Sequence, residues 1–155
     1  MSLNTELATV LSEAKDGTLA TLRPDGWPQA TIISFVADGE TLWFDCLKSS
    51  QKADNLALDP RVSMTVMIPY VGWGDIYGFS LTGRVRRLSA VDEIDAVIRL
   101  WRAKFPYMNR VLTANSDDFV FFELKTERAE RMDFKKGLGH GHTPRTAEDL
   151  APIRR

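Results

Sequence analysis

Between Lys48 and Lys52 the chain reads Lys-Ser-Ser-Gln-Lys, which sets two hydroxyls, an amide and two ammonium groups side by side. Ser49 or Ser50 can cap a helix here. Its first turn would offer backbone N–H groups without intrahelical acceptors, and these could converge with the Lys52 ammonium on one point. Such a convergence suits a phosphate. Hydrogen bonds to a charged group contribute about 1.5–3 kcal/mol each, and the helix end adds about 0.3–1 kcal/mol. A few of them would anchor a phosphorylated cofactor. A Ser-capped helix with a solvated lysine is also common on proteins that bind nothing, so this stretch alone leaves both readings open.

The elements that must position these groups follow from pattern. Thr41-Leu-Trp-Phe-Asp-Cys-Leu47 reads as a strand, with Leu42, Phe44 and Cys46 on one face and Trp43, Asp45 and Leu47 on the other. It runs straight into the capped helix, which Asp59-Pro60 closes. Upstream, Leu3, Leu7, Val10, Leu11 and Ala14 recur at helical spacing, with Gly17 where a C-terminal cap would stand. Thr18–Arg23 and Gln29–Ala37 read as a hairpin about Pro24-Asp25-Gly26. Its second strand carries Ile32, Ile33, Phe35 and Val36 with little polar alternation, which predicts cover on both faces, one from the core and one from a ligand or partner chain. Arg61–Ile68 alternates as a half-buried strand, and Ile76–Leu88 is a long strand in which Gly78 and Gly83 permit a bend or close approach. Val91, Ile94, Val97, Ile98 and Trp101 mark a helical face that ends before Pro106. Residues 107–118 read as a loop or short helix, and Phe119–Thr126 and Arg128–Phe134 as two closing strands. The pattern is mainly β with helices, an α+β class, and suits a compact helix-decorated barrel.

At 155 residues and 44% hydrophobic composition, the chain has room for one core and not for a second domain of ordinary size. Residues 1–136 form the expected domain and 137–155 an extended or mobile tail. A formal net charge of −1 gives no general field for nucleic acid or an anionic membrane, so any anion must be held locally. Cys46 is the one cysteine, no apolar run approaches the length of a spanning helix, and the first residues lack the basic start and apolar block of a secretion signal. Cytoplasmic is the default location.

Taken in order, Gly17-Thr-Leu-Ala-Thr-Leu-Arg-Pro-Asp-Gly26, Thr41-Leu-Trp-Phe44, Ser50-Gln-Lys52, Asn55-Leu56, Asp59-Pro-Arg-Val62 and Gly83-Arg-Val-Arg-Arg-Leu88 resemble the FMN-binding split-barrel family related to pyridoxamine 5′-phosphate oxidase. Asp133-Phe-Lys-Lys-Gly-Leu-Gly-His140 resembles the closing motif of its small general-stress-protein-like members. The resemblance implies a six- or seven-stranded antiparallel split β-barrel, with FMN held non-covalently at a homodimer interface and a small-molecule substrate. It places Ser50, Gln51 and Lys52, with Lys48 beside them, at the phosphate. Thr31, Ile32, Ile33 and Ser34 would run along the flavin ring, and Asp45 and Cys46 would close the neighbouring strand beside it. It implies an oxidoreductase that moves electrons between a reduced donor and a small acceptor. A non-catalytic flavin-binding or stress-related sensing or storage module, or a deazaflavin-dependent reductase, are the alternatives. Gly78 stands where relatives that oxidise pyridoxamine phosphate often carry a glutamine, and their basic, histidine-containing C-terminal motif is missing, which argues against that vitamin-oxidase reaction.

Other reactive side chains have plainer readings. Cys46 within an alternating strand reads as a small buried hydrophobe, with no evident partner to lower its pKa. Asp45 could hydrogen-bond a flavin nitrogen or simply end the strand. His140 and His142 lie in the tail with too few companions for a metal or for the haem that some split barrels hold. Tyr70, Trp73 and Trp101 could cover a ring from the opposite subunit or serve as core and dimer contacts, and Arg84, Arg86 and Arg87 read as a solvated strand face. Dinucleotide fingerprints, a P-loop and a Gly-x-Ser-x-Gly turn are all absent, so kinase and hydrolase chemistry has no residues to carry it.

Overall fold

Strand-forming runs dominate the chain, and the computed structural model folds them into a single antiparallel sheet; it describes residues 3–108 and 118–137. In chain order the elements are α1 (Leu3–Glu13), β1 (Asp16–Leu22), β2 (Pro28–Ser34), β3 (Val36–Asp38), β4 (Thr41–Leu47), α2 (Gln51–Leu58), β5 (Arg61–Met67), β6 (Tyr77–Arg87), α3 (Val91–Lys104) and β7 (Phe119–Asp133). Single 3₁₀ turns lie at Trp73–Asp75, Pro106–Met108 and Phe134–Lys136. The seven strands stand in the order β2-β1-β5-β6-β7-β4-β3 and curl into a half-barrel, an α+β fold consistent with a split barrel.

The alternation of apolar residues accounts for two cores on opposite faces of β4 and β7. Leu42 and Phe44 of β4 and Val120, Phe122 and Leu124 of β7 turn inward to meet Leu7, Val10 and Leu11 of α1. Phe44 and Phe122, opposite each other in register, stack with ring centroids 5.3 Å apart. The intervening Trp43, Phe119 and Phe121 face the other way, onto Val97, Ile98 and Trp101 of α3. The unbroken apolar run Phe119–Phe122 is therefore a strand covered on both faces. Lys104 ties the two layers, since its ammonium donates to the carbonyls of Leu11 and Ala14, at 3.2 and 2.6 Å, and lies 4.5 Å from the Phe35 ring centroid.

Several local expectations change. The second strand of the opening hairpin does not run on to Ala37: it breaks at Phe35, and Val36–Asp38 pairs with β4 at the far edge of the sheet. The two closing strands are one 15-residue strand, in which Thr82 faces Arg128 and Gly83 faces Thr126, so Glu127 is the extra residue of a bulge. Gly17 is not a helix cap. It sits within β1, where a Cβ would strike the Met64 methyl and lie 2.8 Å from the Thr65 carbonyl oxygen. The Pro106–Met108 turn opens the stretch read as a loop or short helix; residues 109–117 and the tail beyond Gly137, with His140 and His142, lie outside the described residues. Among the described residues no helix is long and apolar enough to cross a membrane, and no group of three acidic, histidine or cysteine side chains is placed to hold a metal ion.

Candidate functional site

The turn from β4 into α2 is built by one hydroxyl. Ser50, not Ser49, is the cap: its backbone is extended (φ −81°, ψ 145°), its Oγ accepts from the Ala53 N–H at 3.3 Å, and it donates to the Leu47 carbonyl at 2.7 Å. The Ser50 N–H donates to that same carbonyl at 3.0 Å. Because the hydroxyl proton is engaged within the turn, the donors that helix geometry leaves facing outward are the N–H groups of Gln51 and Lys52. α2 closes at Asp59, whose N–H reaches the Asn55 carbonyl at 2.8 Å, and whose carboxylate grips Arg61 at 2.6 Å, which holds it down at about 2.

Charge at the junction is set by burial. Desolvation pushes the Asp45 carboxyl up to about 6, against the pull of the nearby Lys52 ammonium. The same desolvation raises the Cys46 thiol, while the Ser50 hydroxyl and Lys52 oppose it. Asp45, Cys46, Ser50 and Lys52 are thus drawn together where the strand ends. The thiol, 8% exposed and held in its neutral form, behaves as the small core residue its alternation predicts.

Gln51 and Asn55 belong to a polar relay that runs from the exposed start of α2 to the buried Asn55. Gln51 Nε2 donates to Asn55 Oδ1 at 3.0 Å, and Asn55 Nδ2 donates to Thr21 Oγ1 at 2.9 Å and to Gln29 Oε1 at 3.1 Å. Asn55 is fully buried, and Thr21 and Gln29 face each other across β1 and β2. Sequence reasoning assigned Asn55 no role. The available signal was an asparagine in mid-helix, where its side chain competes with the backbone and is disfavoured unless it has a partner elsewhere.

The four β2 residues divide between two faces. Thr31 and Ile33 turn inward, where Ile33 joins the first core and the Thr31 hydroxyl is buried with no hydrogen-bond partner. Ile32 and Ser34 turn outward; Ser34 donates to Asp16, and Ile32 is 78% exposed. Around Ile32 the outer face is uncharged from β2 to β6 along two rows set by the strand register, Ile32-Thr18-Thr65-Ser80 and Ala30-Ala20-Ser63-Thr82, which end on Glu130 and Arg128 of β7 and are bordered by Asp16. Lys48 does not line up with Lys52. It borders a cavity of about 240 Å³ with Asp54, Arg87 and the apolar Leu56, Val85 and Phe122, which Lys52 does not line. Tyr70 and Trp73 are exposed, whereas Trp101 is a core residue of α3, its ring tilted against Phe105. Arg84, Arg86 and Arg87 are exposed, with Arg86 pairing to both Glu93 and Glu123 and Arg84 to Glu127. Gly78 is buried between β5 and β7, where a Cβ would strike the Val66 carbonyl oxygen.

A heme binding protein from Mycobacterium smegmatis superposes with a TM-score of 0.77 at 23% identity, over 90% of this chain and 56% of that one, so the chain spans little more than half of that protein's length. The conserved hypothetical protein Rv2991 of Mycobacterium tuberculosis gives a TM-score of 0.75 at 25% identity, over 94% and 92% of the two chains. General Stress Protein 26 of Bacillus anthracis str. Sterne gives 0.67 at 16% identity, over 84% and 94%. No curated protein matches the sequence. The family model for pyridoxamine 5′-phosphate oxidase matches residues 3–133, from the start of α1 to the end of β7. By that match, which takes in every strand and the whole β4–α2 junction, the chain belongs to the pyridoxamine 5′-phosphate oxidase family.

Proposed function

We propose that this chain is an FMN-binding oxidoreductase that works as a homodimer and passes electrons between a reduced donor and a small acceptor. The observation that carries the reading is the β4–α2 junction, where Lys52 lies beside a Ser-capped first turn whose outward N–H groups are the natural seat of a phosphate. Lys52 and the N–H groups of Gln51 and Lys52 would hold that phosphate. The Ser50 hydroxyl fixes the turn and Gln51 anchors it to Asn55, so their side chains support the seat; Lys48 would contribute only from its margin. The buried, unpartnered Thr31 hydroxyl fits a bound group that offers it a hydrogen bond, because leaving such a group unmet costs about 1–3 kcal/mol. Ile32, exposed on the opposite face of the strand, fits burial against a second copy. FMN itself would supply the reversible acceptance of hydride, which is why few acid or base side chains are needed. Asp45, at about 6, is a carboxyl able to hold or release a proton near the ring's place without a change of fold.

An absorption spectrum of freshly purified protein distinguishes flavin, deazaflavin and haem, the ligand class named for the mycobacterial neighbour. FMN titration by fluorescence quenching then tests the seat: Lys52→Ala should weaken binding about tenfold or more, the equivalent of one charge-assisted hydrogen bond. Equal affinity in the variant would overturn the assignment. Reduction of bound FMN by a nicotinamide donor and turnover with an added acceptor would mark an enzyme; a flavin that binds but does not turn over would mark a storage or sensing module.

A further inference from the structure

α2 is thinly held by apolar contact. Of its eight residues only Leu56 is a buried hydrophobe, while Leu58 is 69% exposed. The other buried side chain is Asn55, and every hydrogen-bonding group on it is used: the amide oxygen by Gln51 of the helix's own first turn, the two amide hydrogens by Thr21 of β1 and Gln29 of β2. If stability were the sole demand, an apolar residue at this position would satisfy it with no polar group to desolvate. A fully satisfied buried amide does something an apolar contact does not, which is to fix one relative placement of the elements it joins. Those elements are the helix start that carries Lys52 and the strand that carries Thr31 and Ile32.

We infer that Asn55 is the positioning residue of the candidate site, setting the separation between the phosphate seat on α2 and the ring-bearing strand β2. The inference rests on the FMN reading above and goes beyond it by naming what makes the two subsites act together. Asn55 itself would touch no part of the flavin. With its hold on the sheet cut, each subsite survives but the two are no longer kept at the spacing of one molecule, so the contribution of the phosphate to binding is lost.

The test compares FMN with riboflavin, which carries the ring without the phosphate, on the full chain of the wild type, Asn55→Leu, and the double variant Thr21→Val/Gln29→Met. The double variant keeps Asn55 and the helix and removes only the acceptors on the sheet, so it serves even where Asn55→Leu does not fold. The wild type should prefer FMN over riboflavin by about tenfold or more. In the variants that preference should fall towards one through loss of FMN affinity, with riboflavin affinity unchanged within about twofold. A lowered melting temperature with the full preference intact would overturn the inference and leave Asn55 a structural residue. A wild type that binds the two flavins equally, or neither, would overturn the FMN reading and this inference with it.

Discussion

Asp45 and Lys52 show how one carboxyl and one ammonium can share a half-buried corner without forming a simple ion pair. Burial outweighs the lysine's attraction, so the Asp45 carboxyl titrates at about 6 in the folded chain against its ordinary 3.8. Between those values the folded chain keeps a proton that the unfolded chain has released, and stability falls as pH rises through the window, then levels. Asp59 behaves oppositely in a separate window: Arg61 holds it at about 2, so its contribution is lost as pH drops below 3.8. Denaturant unfolding followed from pH 4 to pH 7 should therefore show a decline of less than about 3 kcal/mol, reduced by the partial exposure of the carboxyl, and Asp45→Asn should flatten it. A slope that survives in the variant would mean that another group titrates there.

At the level of elements, close approach decides what can be substituted. Gly78 lies where β5 comes so near that an added methyl would meet the Val66 carbonyl, and backbone cannot step aside as a flexible side chain can. Gly78→Ala should cost about 2 kcal/mol or more, seen as a lowered melting temperature. An unchanged melting temperature would show that β5 and β6 separate more easily than the structure allows. The strands, the capped α2 and the amphipathic α1 and α3 were legible because their cues are local: alternation, a serine before a polar turn, apolar residues at helical spacing. The break at Phe35 was not legible, because only tertiary pairing sends Val36 to β4 while Ser34 stays opposite Asp16. Nor was the continuity of β7, whose bulge at Glu127 mimics a turn in sequence. Within the candidate site, Ser50 and Lys52 could be read from residue type, but the anchoring of Asn55 to the sheet could not, since Thr21 and Gln29 lie more than two elements upstream.

For the molecule as a whole, the outer face around Ile32 is the surface a second copy would cover in the proposed dimer. Light scattering should then give a particle of twice the 17.5 kDa chain mass, and Ile32→Glu should shift it towards the single chain and weaken FMN binding. Because Ile32 is 78% exposed in one chain, the same change should alter the stability of an isolated chain by only about 0.5 kcal/mol. A variant that remains dimeric would move the interface elsewhere. The placement of β7 carries a different consequence. From Phe122 to Lys125 it is hydrogen-bonded along both edges, to β4 and to β6, and from Phe119 to Phe122 its side chains alternate into the two hydrophobic clusters. Such a segment cannot fray from one neighbour while keeping the other in place, and neither cluster can melt without exposing the back of its fellow. Heat or denaturant thus finds no half-folded resting point: the chain surrenders both clusters together.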